Sequence, residues 1–190
     1  EADGMRLRRI SLRNFKGVAA ASVDIPAEGV TVIEGPNEAG KSSLAEAVDL
    51  IIEYLDSSGA ADVPAAQPIG VDAGPEVEIE LTVGAYHLVY RKRWLKHPET
   101  VLRILAPRPE QLSGRAAHER VKEILDKHVD LGLWRALRYE QGVELEQAAV
   151  DREHEAIRVL GVRLDETGQV VGVERRLGDA VAGAQRQLER

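Results

Sequence analysis

The chain has 190 residues, of which 44% are hydrophobic and 30% charged, and its formal net charge is −7. That length suits one domain with an appendage, and that composition suits a globular fold with a buried core. The absence of Cys excludes a disulfide framework and thiolate metal sites, no apolar run reaches the length of a membrane span, and the negative charge confines any nucleic-acid contact to a local basic patch.

Glu1 to Gly4 precede Met5 and read as a cloning remnant, outside the fold. Residues 5–14 alternate, with Leu7, Ile10, Leu12 and Phe15 set among Arg and Ser, which predicts a strand ending in a turn at Asn14-Phe15-Lys16-Gly17. A second strand over 19–25 stops at Pro26, so the two form a hairpin. Residues 29–34 are short, apolar and β-branched, as in a buried strand. Next comes Gly35-Pro36-Asn37-Glu38-Ala39-Gly40-Lys41-Ser42-Ser43, then a helix over 41–55 with Leu44, Val48, Ile51 and Ile52 at helical spacing. Residues 56–75, rich in Ser, Gly, Ala and Pro, read as a partly mobile surface loop. Strict alternation over 76–83, then strands over 85–94 and 100–105, predict an antiparallel meander. A loop over 109–114 leads to an amphipathic helix over 115–129, with Ala117, Val121, Ile124, Leu125 and His128 on one face. Residues 135–139 suggest another strand, leading to Glu140-Gln141-Gly142. Beyond, 143–160 is polar with helical tendency and 161–172 is turn-rich. Leu177, Val181, Ala184 and Leu188 then fall at a/d spacing, which suits either the start of a coiled coil or a surface helix docked on the core.

The segment GPNEAGKSS fits G-x-x-x-x-G-K-[ST], and it lies between a strand and a helix, the context this pattern needs. Gly35 and Gly40 permit the tight backbone curl around an anion. The loop N–H groups and the positive end of the helix dipole then face phosphate. Lys41 is expected to reach the β- and γ-phosphates and the Ser42 hydroxyl to ligate Mg²⁺, with Ser43 one residue further into the helix.

The strand-ending Asn14-Phe15-Lys16-Gly17 followed about twenty residues later by this loop resembles the SMC/RecF/SbcC group of ABC-type ATPases, most of all the N-terminal half of an SbcC-like or Rad-fifty-like head. The resemblance covers residues 5–147 and implies an α/β P-loop fold: a mixed sheet around the phosphate loop, an antiparallel meander beside it, and a helical or coiled-coil start over 148–190. It implies ATP and Mg²⁺ as ligands. Gln141 looks like the glutamine that helps ligate Mg²⁺ and the attacking water, which with Lys41 makes the catalytic pair expected here. Lys16 matches a basic residue that touches the nucleotide. The implied partners are the C-terminal half of the same head, a second head, DNA and a nuclease subunit, in the cytoplasm and on the nucleoid if the source is bacterial, with no membrane.

The group's signature motif is absent from the sequence. The nearest imitation of a Walker B strand is Val162-Arg163-Leu164-Asp165-Glu166, in which Arg163 stands where an apolar residue is wanted, so a solvated turn is the better reading. The expectation is therefore half an active site that binds ATP and turns it over poorly alone. A self-contained kinase or GTPase is the alternative, weakened by the lack of an Asn-Lys-x-Asp motif. A non-catalytic DNA-binding module is another.

The densest positive run is Tyr90-Arg91-Lys92-Arg93-Trp94-Leu95-Lys96-His97. Arg91, Lys92, Arg93 and Lys96 are the candidates for DNA phosphate contact. Alternation puts Arg91 and Arg93 on one sheet face and Tyr90, Lys92 and Trp94 on the other. The competing reading is a solvated face whose charges pair with Glu76, Glu78 and Glu80. His87, His97, His118, His128 and His154 lack metal-ligand spacing and read as structural or exposed.

Overall fold

A computed structural model describes residues 5–27, 30–34, 40–129, 158–164 and 170–177. Strands β1 (Arg6–Phe15) and β2 (Val18–Asp24) form the expected hairpin, and β3 (Val30–Glu34) leads to the glycine loop. Helix α1 (Lys41–Glu53) follows, then the short α2 (Asp62–Ala65), then β4 (Glu76–Val83), β5 (Tyr86–Arg93), β6 (Glu99–Ala106) and β7 (Glu110–Ser113). Helix α3 (Gly114–His128) is followed by β8 (Arg158–Leu164) and β9 (Val170–Leu177).

The strands make two sheets. Six are antiparallel in the order β2-β1-β4-β5-β6-β7, so the N-terminal hairpin docks on the meander through β1 and β4. The second sheet is mixed: β3 lies parallel to β8, and β8 antiparallel to β9.

Alternation decides the faces of the large sheet. Ile10, Ile79, Tyr90 and Leu102 stand in one cross-strand row and Leu12, Val77, Lys92 and Thr100 in the next, all buried. Helices α1 and α3 pack on this side. Helix α1 contributes Leu44, Ala47, Val48, Ile51 and Ile52, at the spacing that makes one helical stripe. Helix α3 contributes Ala117, Val121, Ile124 and Leu125. Burial of each large aliphatic side chain contributes about 1.5–3 kcal/mol. His128, expected on that stripe, instead sets its ring edge-on to Tyr86 with centroids 6.0 Å apart. The other face is charged, with Arg13, Glu76, Arg93 and Glu99 in one row.

Three expectations need correction. Within 56–75, read as a loop, α2 forms because Val63 and Ala66 are buried against the core. Within 109–114, β7 forms by pairing with β6 at the sheet edge. The helical and turn readings over 158–164 and 170–177 give way to β8 and β9, where pairing with β3 supplies partners that local spacing does not show. The expected strand over 135–139, Gln141, His154, Asp165, Glu166 and the a/d positions beyond Leu177 lie outside the described residues.

Candidate nucleotide site and its supports

Strand β3 ends at Glu34 and α1 begins at Lys41, so strand, glycine loop and helix follow in the predicted order. Gly35, Pro36, Asn37, Glu38 and Ala39 lie outside the described residues. Gly40 is the N-cap of α1 with φ 82°, in the left-handed region that favours glycine. A Cβ there would also meet Val18 Cγ2, 2.3 Å away. Gly40 supplies no side-chain cap to α1, and the first turn of the helix carries no acidic residue. The first N–H groups and the positive end of the dipole are thus uncompensated by these devices, which suits an anion. Lys41 is the first helical residue, Ser42 is exposed in the first turn, and Ser43 is buried. Among the described residues, these features fit a nucleotide phosphate: a glycine where a side chain would clash, a helix N-terminus that this glycine does not cap, and an accessible hydroxyl beside it.

Lys16 sits in the β1–β2 turn with φ 51°, and its N–H donates to the Ala66 carbonyl at 2.8 Å. Its ammonium pairs with Glu46 on α1. The turn is therefore tied both to the segment after α2 and to the helix that starts at the glycine loop.

The far end of α1 is closed by β5. The last carbonyls of a helix lack intrahelical donors. Here the Lys92 ammonium donates to the carbonyls of Ile51, at 2.9 Å, and Tyr54, and to His118 Nδ1 on α3, at 2.9 Å. Trp94 Nε1–H donates to the Leu55 carbonyl at 3.0 Å. The Tyr90 hydroxyl lies 3.1 Å from the same His118 nitrogen, and Thr100 Oγ1–H donates to Asp56 at 2.9 Å. Burial pushes Lys92 down to about 7, against the opposing charge of Asp56. Burial, then the charges of Lys92 and Lys122, push His118 down to about 4, which leaves its ring neutral and Nδ1 free to accept. Burial raises the Tyr90 hydroxyl, so it stays protonated.

This overturns one DNA-contact candidate. Lys92 is fully buried, because strand alternation turns it inward with Tyr90 and Trp94 and the end of α1 takes its charge. The other three stay on the surface, each paired. Arg91 lies 2.7 Å from Glu99 and 3.4 Å from Glu76, and Arg93 lies 3.6 Å from Glu76 and 3.7 Å from Glu99. Lys96 lies 2.7 Å from Asp72. The strand-face ladder uses Glu76, as the competing reading expected, while Glu80 pairs with Arg9 and His87. The His87 hydrogen bond, then Arg9, lower the Glu80 carboxyl. Among the described residues no group of His, Asp and Glu could hold a metal ion, and no helix is long and apolar enough to cross a membrane.

Sequence reasoning missed the role of Lys92 and its link to His118. The signal was the inward parity of Lys92, between two aromatics; its acceptors, some forty residues upstream in sequence, gave none.

Residues 5–83, which hold β1 to β4, the glycine loop and α1, match the family described as the AAA ATPase domain. That match covers the strand, glycine loop and helix from which the loop pattern was read. Over 147 residues the chain is 48% identical to uncharacterized proteins of Mycobacterium tuberculosis and Mycobacterium bovis; the alignment covers 77% of this chain. The chain spans 17% of the length of these curated relatives. Among solved structures it is similar to the recombination mediator protein RecF with ATP, with TM-score 0.43 and 20% identity, covering 60% of this chain and 30% of that one. It is also similar to the Smc head domain derived from Pyrococcus yayanosii, with TM-score 0.45 and 12% identity, covering 65% of this chain and 25% of that one.

Proposed function

We propose that this chain is the ATP-binding N-terminal part of an SMC/SbcC-like ATPase that acts on DNA in break repair or recombination. Residues 5–147 make the ATP-binding lobe, and the segment over 148–190, with β8 and β9 within it, leads to a coiled coil. A C-terminal part of the same head supplies the signature motif, the Walker B carboxylates and the general base, and a second head completes the pair. A nuclease subunit and a cytoplasmic, nucleoid-associated setting go with this reading.

The observation that carries it is Gly40: a left-handed glycine, packed against Val18, opening an uncapped helix directly after the phosphate loop. Backbone N–H groups at the start of α1 bind the phosphates. Lys41 neutralises the β- and γ-phosphate charge, and Ser42 offers its hydroxyl to Mg²⁺. Bound Mg²⁺–ATP would supply the phosphoryl group that the assembled head transfers to water. Gln141 orients water and Mg²⁺, and Lys16 exchanges Glu46 for the nucleotide.

One observation favours a second reading, a self-contained P-loop enzyme. Strand β8 runs parallel beside β3 with Arg163 opposite Glu34, so Asp165 follows the end of β8 in sequence much as Gly35 follows the end of β3. Turnover by the purified chain alone, beside Lys41→Ala, separates the two. The first reading expects nucleotide binding without turnover, and binding weakened about 10- to 100-fold by Lys41→Ala, since charge-assisted contacts are worth about 1.5–3 kcal/mol. Turnover that vanishes in Lys41→Ala favours the second. Affinity untouched by Lys41→Ala removes the loop as the site.

A further inference from the structure

We propose that Lys92 is a positioning residue for the nucleotide site: by closing the C-terminal end of α1 and joining it to His118 of α3, its ammonium group couples occupancy of the phosphate loop to its own protonation. The inference rests on the nucleotide-binding reading above and adds a role for a residue remote from the loop.

The geometry is a count of donors. A protonated lysine has three N–H groups and no acceptor. Lys92 has three acceptors: the Ile51 and Tyr54 carbonyls on α1 and Nδ1 of His118 on α3. All three donors are used only while the charge is present. A neutral amine keeps two, so one of the three bonds is lost or reversed, and the joint between α1 and α3 changes. The site is fully buried, so water does not replace the missing bond; at His118 Nδ1 the Tyr90 hydroxyl, 3.1 Å away, is the donor that can, which would release Lys92 from α3.

The surroundings decide whether the proton is held. From α3, His118 faces Lys92, with Lys122 and Glu119 close enough to act on that ring. From the segment after α1 comes Asp56, held by Thr100 of β6, and beside it the Tyr54 carbonyl. On its own strand, the Tyr90 ring centroid lies 5.1 Å from the ammonium. Burial opposes the charge and Asp56 favours it, and the balance leaves Lys92 titrating at about 7.

The direction of coupling follows from the helix. A cation at its C-terminal end and an anion at its N-terminal end both favour the same aligned α1. Each ligand orders the helix for the other, so their binding is mutually favourable. By reciprocity, if charged Lys92 favours nucleotide, nucleotide must raise the pH at which Lys92 loses its proton.

The test uses the 190-residue chain with isotope-labelled lysine, whose side-chain resonances are followed against pH with and without a Mg²⁺-bound, non-hydrolysable ATP analogue. Lys92 is assigned by its loss in Lys92→Met, a change that keeps most of the stem volume. The expected result is an upward shift of the Lys92 midpoint by about 0.7 pH unit on binding, equivalent to about fivefold tighter binding when Lys92 is charged. The ratio of wild-type to Lys92→Met affinity then falls as pH rises through that midpoint, which cancels the analogue's own ionisation. If Lys92→Met does not fold, the wild-type titration decides, with the depressed midpoint as the marker of the buried amine. An analogue that binds while the midpoint stays put overturns the inference and leaves the nucleotide reading intact. A folded wild-type chain that binds no analogue overturns the nucleotide reading and the inference with it.

Discussion

Gly40 stands directly against Val18: a Cβ on the glycine would lie 2.3 Å from the valine Cγ2. The residue that opens α1 thus presses on the residue that opens β2. Gly40→Ala meets two penalties, the clash and the left-handed backbone at φ 82°. We expect a loss of about 1–3 kcal/mol in urea unfolding and weaker nucleotide binding. Adding Val18→Ala relieves the clash and not the backbone, so the double variant recovers nucleotide binding only in part. Unchanged unfolding in Gly40→Ala contradicts this packing.

Arg91 and Arg93 share Glu76 and Glu99 on the sheet face. Replacing either by Ala costs under about 1 kcal/mol, because partly exposed pairs are weak. Converting both to Glu puts like charges together; if the proposed DNA contact uses this face, the change reduces DNA affinity with a shallower dependence of log K on log salt. Lys92→Met, on the same strand but buried, leaves that salt dependence as it was. Gel-shift titrations at several salt concentrations check both, and a double-Glu variant that binds DNA like wild type rules the patch out.

The buried basic side chains make stability depend on pH. Lys92 titrates at about 7 in the fold against an ordinary 10.5, so over that window the unfolded chain holds more protons. Its contribution to stability therefore rises with pH above about 7, and below that it is constant. His118, at about 4 against 6.5, adds the same sign between those values. The lowered carboxyl of Glu80 contributes stability that is lost as pH falls through its folded value. Tyr90, raised by burial, works the other way only where an unfolded tyrosine ionises, near pH 10. We expect denaturation midpoints to climb from about pH 5 to about pH 9, with the upper part of the climb missing in Lys92→Met. A wild-type profile flat between about pH 7 and about pH 9 contradicts the burial of that charge.

Much of this was legible where structure is local. The Glu-Val-Glu-Ile-Glu-Leu-Thr-Val run of β4 alternates, and its burial alternates in step. The hydrophobic spacing of α1 and α3 put the right residues inward. Strands β7 to β9 were not legible, because they exist through partners elsewhere in the chain: β7 through β6, β8 through β3, and β9 through β8. Two glycines, Gly161 and Gly172, weighed toward a turn where the strands pair across them with Glu174 and Arg163. The helix that follows Gly40 was clear from its spacing. Its support was not, since a basic run beside Lys92 hid a lysine whose charge belongs to the end of a helix some forty residues upstream in sequence.

Strand β3 lies in a different sheet from its sequence neighbours β2 and β4, and its partner β8 follows it by more than 120 residues. On a ribosome, β4, β5, β6, β7 and α3 can assemble from neighbours as they emerge, and β1 and β2 can join through β4. Strand β3 must wait for β8, with Val32 more than a third exposed even in the finished fold. Long closures of this kind form late. During refolding, pulse-labelled amides of β3 should thus become protected after those of β4 and β5; simultaneous protection would mean that the second sheet nucleates early. The strand that leads into the glycine loop thus waits for a partner more than 120 residues downstream, which makes the time before β8 is synthesised an interval of exposure to proteolysis and misassembly.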